Sequence, residues 1–261
     1  IKTLDQSLAA HLNETVHDGV HGLATTQNVT YYVDATNGND ANDGLTSQTA
    51  FKTIGKALEL IPQIVNHTIT IRIADGTYNE AVRIEGKVGS GAIVLSSQGT
   101  NVVLTGHTNA ASSTIAYAGI VISRVFVSVT IGNNENGIWV KPSADFGSSP
   151  FYGANIVESN ITTGGISTLT IKVDGNDVST TGIKNGIVCV SSTVYLFSCS
   201  VSNLYNGIYA TYGAKVHSRN NSGPGNVIAL RAERGAVISK EGTQPEGTTA
   251  EFTETGGVIR G

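Results

Sequence analysis

The chain has 261 residues, of which 14% are charged and 39% hydrophobic, and a formal net charge of −4. That balance excludes a disordered chain. Without a Lys/Arg cluster, nucleic acid is excluded as a partner, because backbone binding needs concentrated positive charge. No stretch approaches the roughly 18 uninterrupted apolar residues of a membrane span, so no membrane insertion is expected.

Thirty-one Gly and only 5 Pro lie in a background rich in Thr, Ser, Asn, Val and Ile. β-Branched residues favour pleated strands, and Gly and Asn supply positive-φ corners, so many short strands joined by tight turns are predicted. Residues 1–24 stand apart. Ile1, Leu4, Leu8 and His11 follow a 3-4 spacing that Asp18-Gly19 ends, which predicts a short helical linker or the tail of a stalk. The chain opens on Ile1 rather than Met, as a trimmed chain would.

Residues 25–67 are expected to form the opening of the domain, with one helix. Residues 31–34 read as a strand, and Asn37-Gly38-Asn39-Asp40 and Asn42-Asp43-Gly44 as turns. Residues 53–61 then place Ile54, Leu58 and Ile61 on one helical face and stop at Pro62. Residues 68–73 alternate cleanly as a strand. From residue 68 to 242 there are short strands with an internal repeat. Asn185-Gly186-Ile187-Val188-Cys189 aligns with Asn206-Gly207-Ile208-Tyr209-Ala210 and, more loosely, with Asn226-Val227-Ile228-Ala229-Leu230, at steps of 21 and 20 residues. Asn136-Gly137-Ile138-Trp139-Val140 has the same form, and Gly119-Ile120 precedes it by 18.

A period near 20 with an apolar pair at fixed phase predicts an all-β, right-handed parallel β-helix: each coil lies about 4.8 Å above the last, Asn on Asn and Ile on Ile. An antiparallel sandwich would give turn signals without coil-to-coil identity. Residues 141–184 fit the period poorly, so 141–152 is expected to be an extruded loop. Residues 243–261 are expected to cap or pair at the open end.

The segment from Tyr31-Tyr32-Val33-Asp34 to Gly44, with Phe51-Lys52-Thr53-Ile54-Gly55-Lys56-Ala57, resembles the first turns of pectin-lyase-like β-helices, and residues 71–80 resemble the strand and turn that follow. That resemblance implies that the helix of residues 25–67 is a cap. Residues 8–14 and His17-Asp18-Gly19-Val20-His21-Gly22 resemble linkers in tail and tail-fibre proteins of phages of Gram-positive bacteria. Together these resemblances imply a phage or prophage tail-fibre or tailspike protein. Such a protein is a homotrimer in the virion, made in the bacterial cytoplasm, joined to other tail proteins through its N-terminus and bound to a host-surface glycan. A secreted carbohydrate-binding module is the alternative location and role. The enzymes of the superfamily do not transfer: the Gln and paired Asp motifs of pectin methylesterases have no counterpart, Gly106-His107-Thr108 is not the Gly-His-Gly of polygalacturonases, and the calcium-ligand cluster of pectate lyases is missing.

Candidate chemistry divides into acids and rings. Paired carboxylates run glycoside hydrolysis, and Asp174, Asp177 and Glu158 are the candidates for a polysaccharide depolymerase (hydrolase or lyase), although Asp174-Gly175-Asn176-Asp177 is also a good turn. With Ile138 and Val140 inward, Trp139 points outward, and Tyr209 is expected at the equivalent place on a later coil. Trp139, Tyr152, Tyr205, Tyr209 and Tyr212 are the carbohydrate-binding candidates, as rigid rings on which sugars stack; burial against a neighbouring subunit is the competing use. No metal or cofactor is expected: His11, His17 and His21 are split by Asp18-Gly19, residues 34–43 lack the calcium-loop spacing, and His67, His107 and His217 are isolated. Cys189 and Cys199 are expected to be buried free thiols.

Overall fold

The computed structural model describes residues 24–109, 117–132, 137–161 and 169–261. The linker with His11, His17 and His21, and Asn136 of the repeat, lie outside these residues. The described strands form three faces, wound one coil after another. The first face holds β1 (Val29–Val33), β2 (Thr68–Ile73), β5 (Val88–Ser97) and β9 (Phe126–Ile131). Single bridges from Ile131 to Leu169 and from Leu169 to Leu196 continue it. It then runs through β14 (Thr193–Phe197), β17 (Lys215–Arg219), β19 (Val237–Glu241) and β21 (Val258–Arg260).

The second face holds β3 (Gly76–Tyr78), β6 (Val102–Leu104), β10 (Ile138–Val140), β12 (Ile171–Asp174) and β15 (Ser200–Ser202). The third holds β4 (Val82–Glu85), β8 (Tyr117–Ser123), β11 (Phe151–Val157), β13 (Lys184–Val190), β16 (Asn206–Thr211), β18 (Asn226–Glu233) and β20 (Gly247–Glu254). Among the described residues only β7 (Thr108–Asn109) pairs antiparallel, against β8. The fold is a parallel β-helix. Residues beyond 242 add β20 and β21 to the same ladders.

The entrance is closed by α1 (Ile54–Glu59), which buries Ile54, Ala57 and Leu58. Its free amides are met by side chains. The Thr53 hydroxyl accepts from the Lys56 amide at 3.1 Å, and the Glu80 carboxylate from those of Ile54 and Gly55 at 2.7 Å each. Asp40 in turn accepts the Lys52 and Thr53 amides at 2.8 and 2.9 Å. Burial raises the Glu80 carboxyl above its ordinary value against the pull of those two amides.

Inside, like residues stack in files. Ile71, Leu95, Ile131, Leu169 and Leu196 form one file on the first face. Tyr78, Leu104, Val140, Val173 and Val201 form another on the second. On the third, Ile122, Ile156, Cys189, Ala210 and Ala232 shrink toward the C-terminal end. Cys189 and Cys199 are free and buried. Burial pushes the Cys189 thiol far up and that of Cys199 up to about 12, so neither is a nucleophile.

Three sequence expectations need correction. Asn185 does stack under Asn206, and the Asn206 amide donates to Asn185 Oδ1 at 2.7 Å. Asn206, however, faces Ile228 rather than Asn226, so the step is 22 residues. The cause is the Gly223-Pro224-Gly225 corner, whose glycines have φ of 124° and 78° and set Asn226 back into the bend. There it accepts from the Leu204 amide at 3.2 Å and donates to the carbonyls of Val201, Gly223 and Glu246. Secondly, Ile138–Val140 is a strand of the second face, so Trp139 and Tyr209 occupy different faces. An apolar-x-apolar triplet suits every face of the coil and does not say which one. Thirdly, Tyr152 lies in β11 on the third face, and the loop ends before Phe151, which is fully buried.

The corners also depart from the Gly/Asn expectation. Where the third face turns into the first, Arg124, Glu158, Ser191, Tyr212, Arg234 and Thr255 hold φ between 47° and 53°. A left-handed conformation costs roughly 1–2 kcal/mol per non-glycine residue. Amides offset the cost by bonding from coil to coil, from Arg124 to the Val157 carbonyl and from Glu158 to that of Val190, both at 3.0 Å. Glycine is required elsewhere. Register places Gly119, Gly153, Gly186 and Gly207 in one file. A Cβ on Gly153 would lie 2.3 Å from Val173 Cγ2, and one on Gly186 would lie 2.8 Å from Val201 Cγ1. The third face approaches the second too closely there for any side chain.

Gly186→Ala is expected to lower stability by about 1–3 kcal/mol through overpacking, measured as an earlier urea midpoint; an unchanged midpoint would contradict this close approach.

Candidate functional site

Trp139 is the middle residue of a three-residue strand whose neighbours Ile138 and Val140 are fully buried, so alternation turns its ring outward. In register it stands between Val103 on the coil before and Lys172 on the coil after. The Lys141 and Lys172 ammonium groups lie 4.7 and 5.4 Å from the ring centroid. Such contacts contribute about 0.5–1 kcal/mol each at exposed sites. Two ammonium groups thus gather at one ring.

Lys141 also pairs with Asp177 at 3.2 Å and so ties Trp139 to the neighbouring cleft. That cleft, of about 570 Å³, is lined by Pro142, Asp145, Asn176, Asp177, Thr180 and Lys184, among others. Its walls are excursions from two successive coils. They are clamped by the Phe146 amide on the Ser179 carbonyl at 2.9 Å and the Thr181 amide on that of Gly147 at 2.7 Å. The segment that fitted the period poorly is therefore the segment that builds the cleft.

Of the acid candidates, Asp174 and Asp177 belong to this region. Asp174 caps the short 3-10 turn Gly175–Asp177, accepting the Asn176 amide at 3.0 Å, and also accepts the Asn203 side-chain amide at 2.9 Å from the next coil. Asp174 is thus held by partners that shape the turn, and Asp177 by Lys141. Glu158 sits at another corner, where the third face meets the first, with its side chain exposed.

The tyrosines lie on or beside the third face. Tyr152 packs on Ala118 and Val121, and burial raises its phenol. Tyr205 and Tyr212 are 41% and 56% exposed, with Arg234 4.6 Å from the Tyr212 ring centroid. Tyr209 belongs to a file Val188–Tyr209–Arg231–Phe252. The Arg231 guanidinium is 5.1 Å from the ring centroids of both Tyr209 and Phe252.

Beside that file is Glu233, only 4% exposed. It receives the Tyr209 hydroxyl, Arg231 Nη2 at 2.8 Å and Arg234 Nη1 at 3.1 Å. Burial pushes its carboxyl up, but those donors and the two guanidinium charges outweigh burial and hold it below the usual range. Tyr209 is pushed up to about 12 by burial and by the bond to Glu233 and its charge. Sequence reasoning missed Arg231, Glu233 and Phe252. The available signal was Arg231-Ala232-Glu233, two opposite charges flanking an inward alanine.

Among the described residues, no group of three or more His, Cys, Asp and Glu is placed to hold a metal ion. The acids of residues 34–43 serve the turns: Asp34 accepts the Thr36 and Asn37 amides, and Asp43 that of Leu45. His67 bonds to the Thr25 carbonyl, and His107 meets the Phe146 ring edge-on.

Because the folded-state value of Glu233 is depressed, its contribution is full above the unfolded carboxylate pKa and is lost as pH falls through the folded one. Glu233→Gln should therefore destabilise at neutral pH and narrow its gap from the parent below about pH 4, the unfolded carboxylate range. Urea melts across pH 3–7 measure this, and a gap independent of pH would contradict the network.

A family model described as a protein of unknown function (DUF1565), typical of parallel β-helix proteins, matches residues 36–85. That stretch holds Asp40, the α1 cap, β2, β3, Glu80 and β4. No curated protein and no solved structure matches the chain.

Proposed function

We propose that this chain is the β-helix of a phage or prophage tail fibre or tailspike that binds a host-surface polysaccharide. One observation carries the reading: Trp139 stands on a hydrogen-bonded ladder with the ammonium groups of Lys141 and Lys172 at its ring, beside a polar cleft of about 570 Å³. A half-buried outward ring next to hydrogen-bonding groups is an arrangement that sugars recognise, at little conformational cost to the protein. The resemblance of residues 8–22 to phage tail linkers supports the location in a virion and attachment through the N-terminus. In this reading the chain works as a homotrimer, and Tyr205 and Tyr212 extend the contact or meet a neighbouring subunit.

The second reading is a depolymerase, favoured by Asp177 lining the same cleft that adjoins Trp139. In a trimer, further acids would come from the adjacent subunit. A secreted carbohydrate-binding module is the third.

Incubation with a panel of purified Gram-positive wall glycopolymers separates these readings. Binding is expected without new reducing ends or unsaturated sugars, and Trp139→Ala, in protein that circular dichroism shows to be folded, should weaken it about tenfold, or ~1.4 kcal/mol. Oligosaccharide release that disappears in Asp177→Asn would replace the binding reading with the depolymerase. Binding unaffected by Trp139→Ala would remove this face as the site.

A further inference from the structure

The C-terminal part of the first face carries a second groove, of about 450 Å³, far in sequence from Trp139. It runs across β14, β17, β19 and β21, along the solenoid axis, between two outward files. One file is Thr193, Lys215, Val237 and Val258; the other is Tyr195, His217, Ser239 and Arg260. The alternating residues Val194, Val216 and Ile238 are buried, so the backbone beneath is fixed by the core. The Tyr195 and His217 rings lie 4.4 Å apart and give the groove a partly aromatic floor.

Charge distinguishes this strip from the rest of the molecule. Lys215, Arg219 and Arg260 lie on it against a single carboxylate, Glu241, which is shared by Arg219 and His217 at 3.4 Å each. Among the described residues, Lys215 and Arg260 have no carboxylate within 4 Å. The strip is thus cationic on a chain whose net charge is −4. Lys215 and Arg260 sit two coils apart, on the order of 10 Å along the axis.

We propose that this groove binds an acidic linear polysaccharide, its carboxylate or phosphate groups meeting Lys215 and Arg260 and a sugar ring lying over Tyr195 and His217. The charge pattern opposes a two-fold-related copy of the chain as occupant. About a two-fold axis, the same strip would meet itself and bring its cations together, at a desolvation cost that nothing on the strip offsets. An extended polyanion supplies the missing charge at each position and needs no change in the rigid face. This site is separate from the Trp139 face and does not depend on it.

The test uses Trp139→Ala protein, so that the second face is silent. Titration calorimetry is run with polygalacturonate, poly(glycerol phosphate) and neutral dextran at low and high salt. At least one acidic polymer is expected to bind, with affinity falling as salt rises, while dextran does not bind; the polymer that binds identifies carboxylate or phosphate as the anion. Adding Lys215→Ser and Arg260→Ser, both exposed positions, should weaken binding at least tenfold without lowering the melting temperature. The proposal is overturned if neither acidic polymer binds, if dextran binds equally, or if the folded double variant binds undiminished.

Discussion

In a solenoid of this kind, the parallel strands of each coil find their hydrogen-bond partners in the coils before and after it. Everything else follows from that pairing. A strand that slipped by one residue would turn its buried side chains to solvent, so register is fixed by the core files, Ile71–Leu95–Ile131–Leu169–Leu196 foremost. Fixed register then stacks each kind of residue on its own kind: glycine from Gly119 to Gly207, asparagine at 185 and 206, left-handed residues from Arg124 to Thr255. The same register also stacks unlike outward residues, and so sets the Arg231 guanidinium between the rings of Tyr209 and Phe252.

The same rule leaves coil length free. Ile187 faces Ile208, 21 residues on, whereas Ile120 faces Ala154, 34 residues on. Extra residues leave the ladder at a corner and return to it in register, a modest entropic cost for a loop whose ends are already held. Two excursions on adjacent coils, residues 141–150 and 175–183, lean on one another and make the cleft beside Trp139. In the proposed binding role, the ladder would space the contacts to a long, repetitive ligand and the corners would set their shape.

What was legible in the sequence was whatever the ladder imposes periodically. The step from Asn185 to Asn206, the outward turn of Trp139 and a helix with Ile54 and Leu58 on one face all came from spacing alone. The failures have one cause: the local pattern is shared by every face. Ile138-Trp139-Val140 resembles Ile208-Tyr209-Ala210 because both alternate over a core, not because they stack. The shift at Asn226 needed knowledge that Gly223-Pro224-Gly225 lengthens its coil. The left-handed Arg124, Glu158 and Tyr212 carry no composition signal, since the neighbouring coils rather than their own propensity hold them in place. The cationic groove on the first face was equally hidden. Lys215 and Arg260 are 45 positions apart and meet only through two coils of register.

Engineered cross-links across one coil test that register most directly. Thr193 and Lys215 are opposed on adjacent coils, about 4.8 Å apart, within disulfide range; Thr193 and His217 are offset by two residues, about 8 Å, outside it. Mass spectrometry after mild oxidation should find a closed disulfide in Thr193→Cys/Lys215→Cys and free thiols in Thr193→Cys/His217→Cys. The opposite result, or equal cross-linking of both, would contradict the stacked coils and the placement of every surface described above.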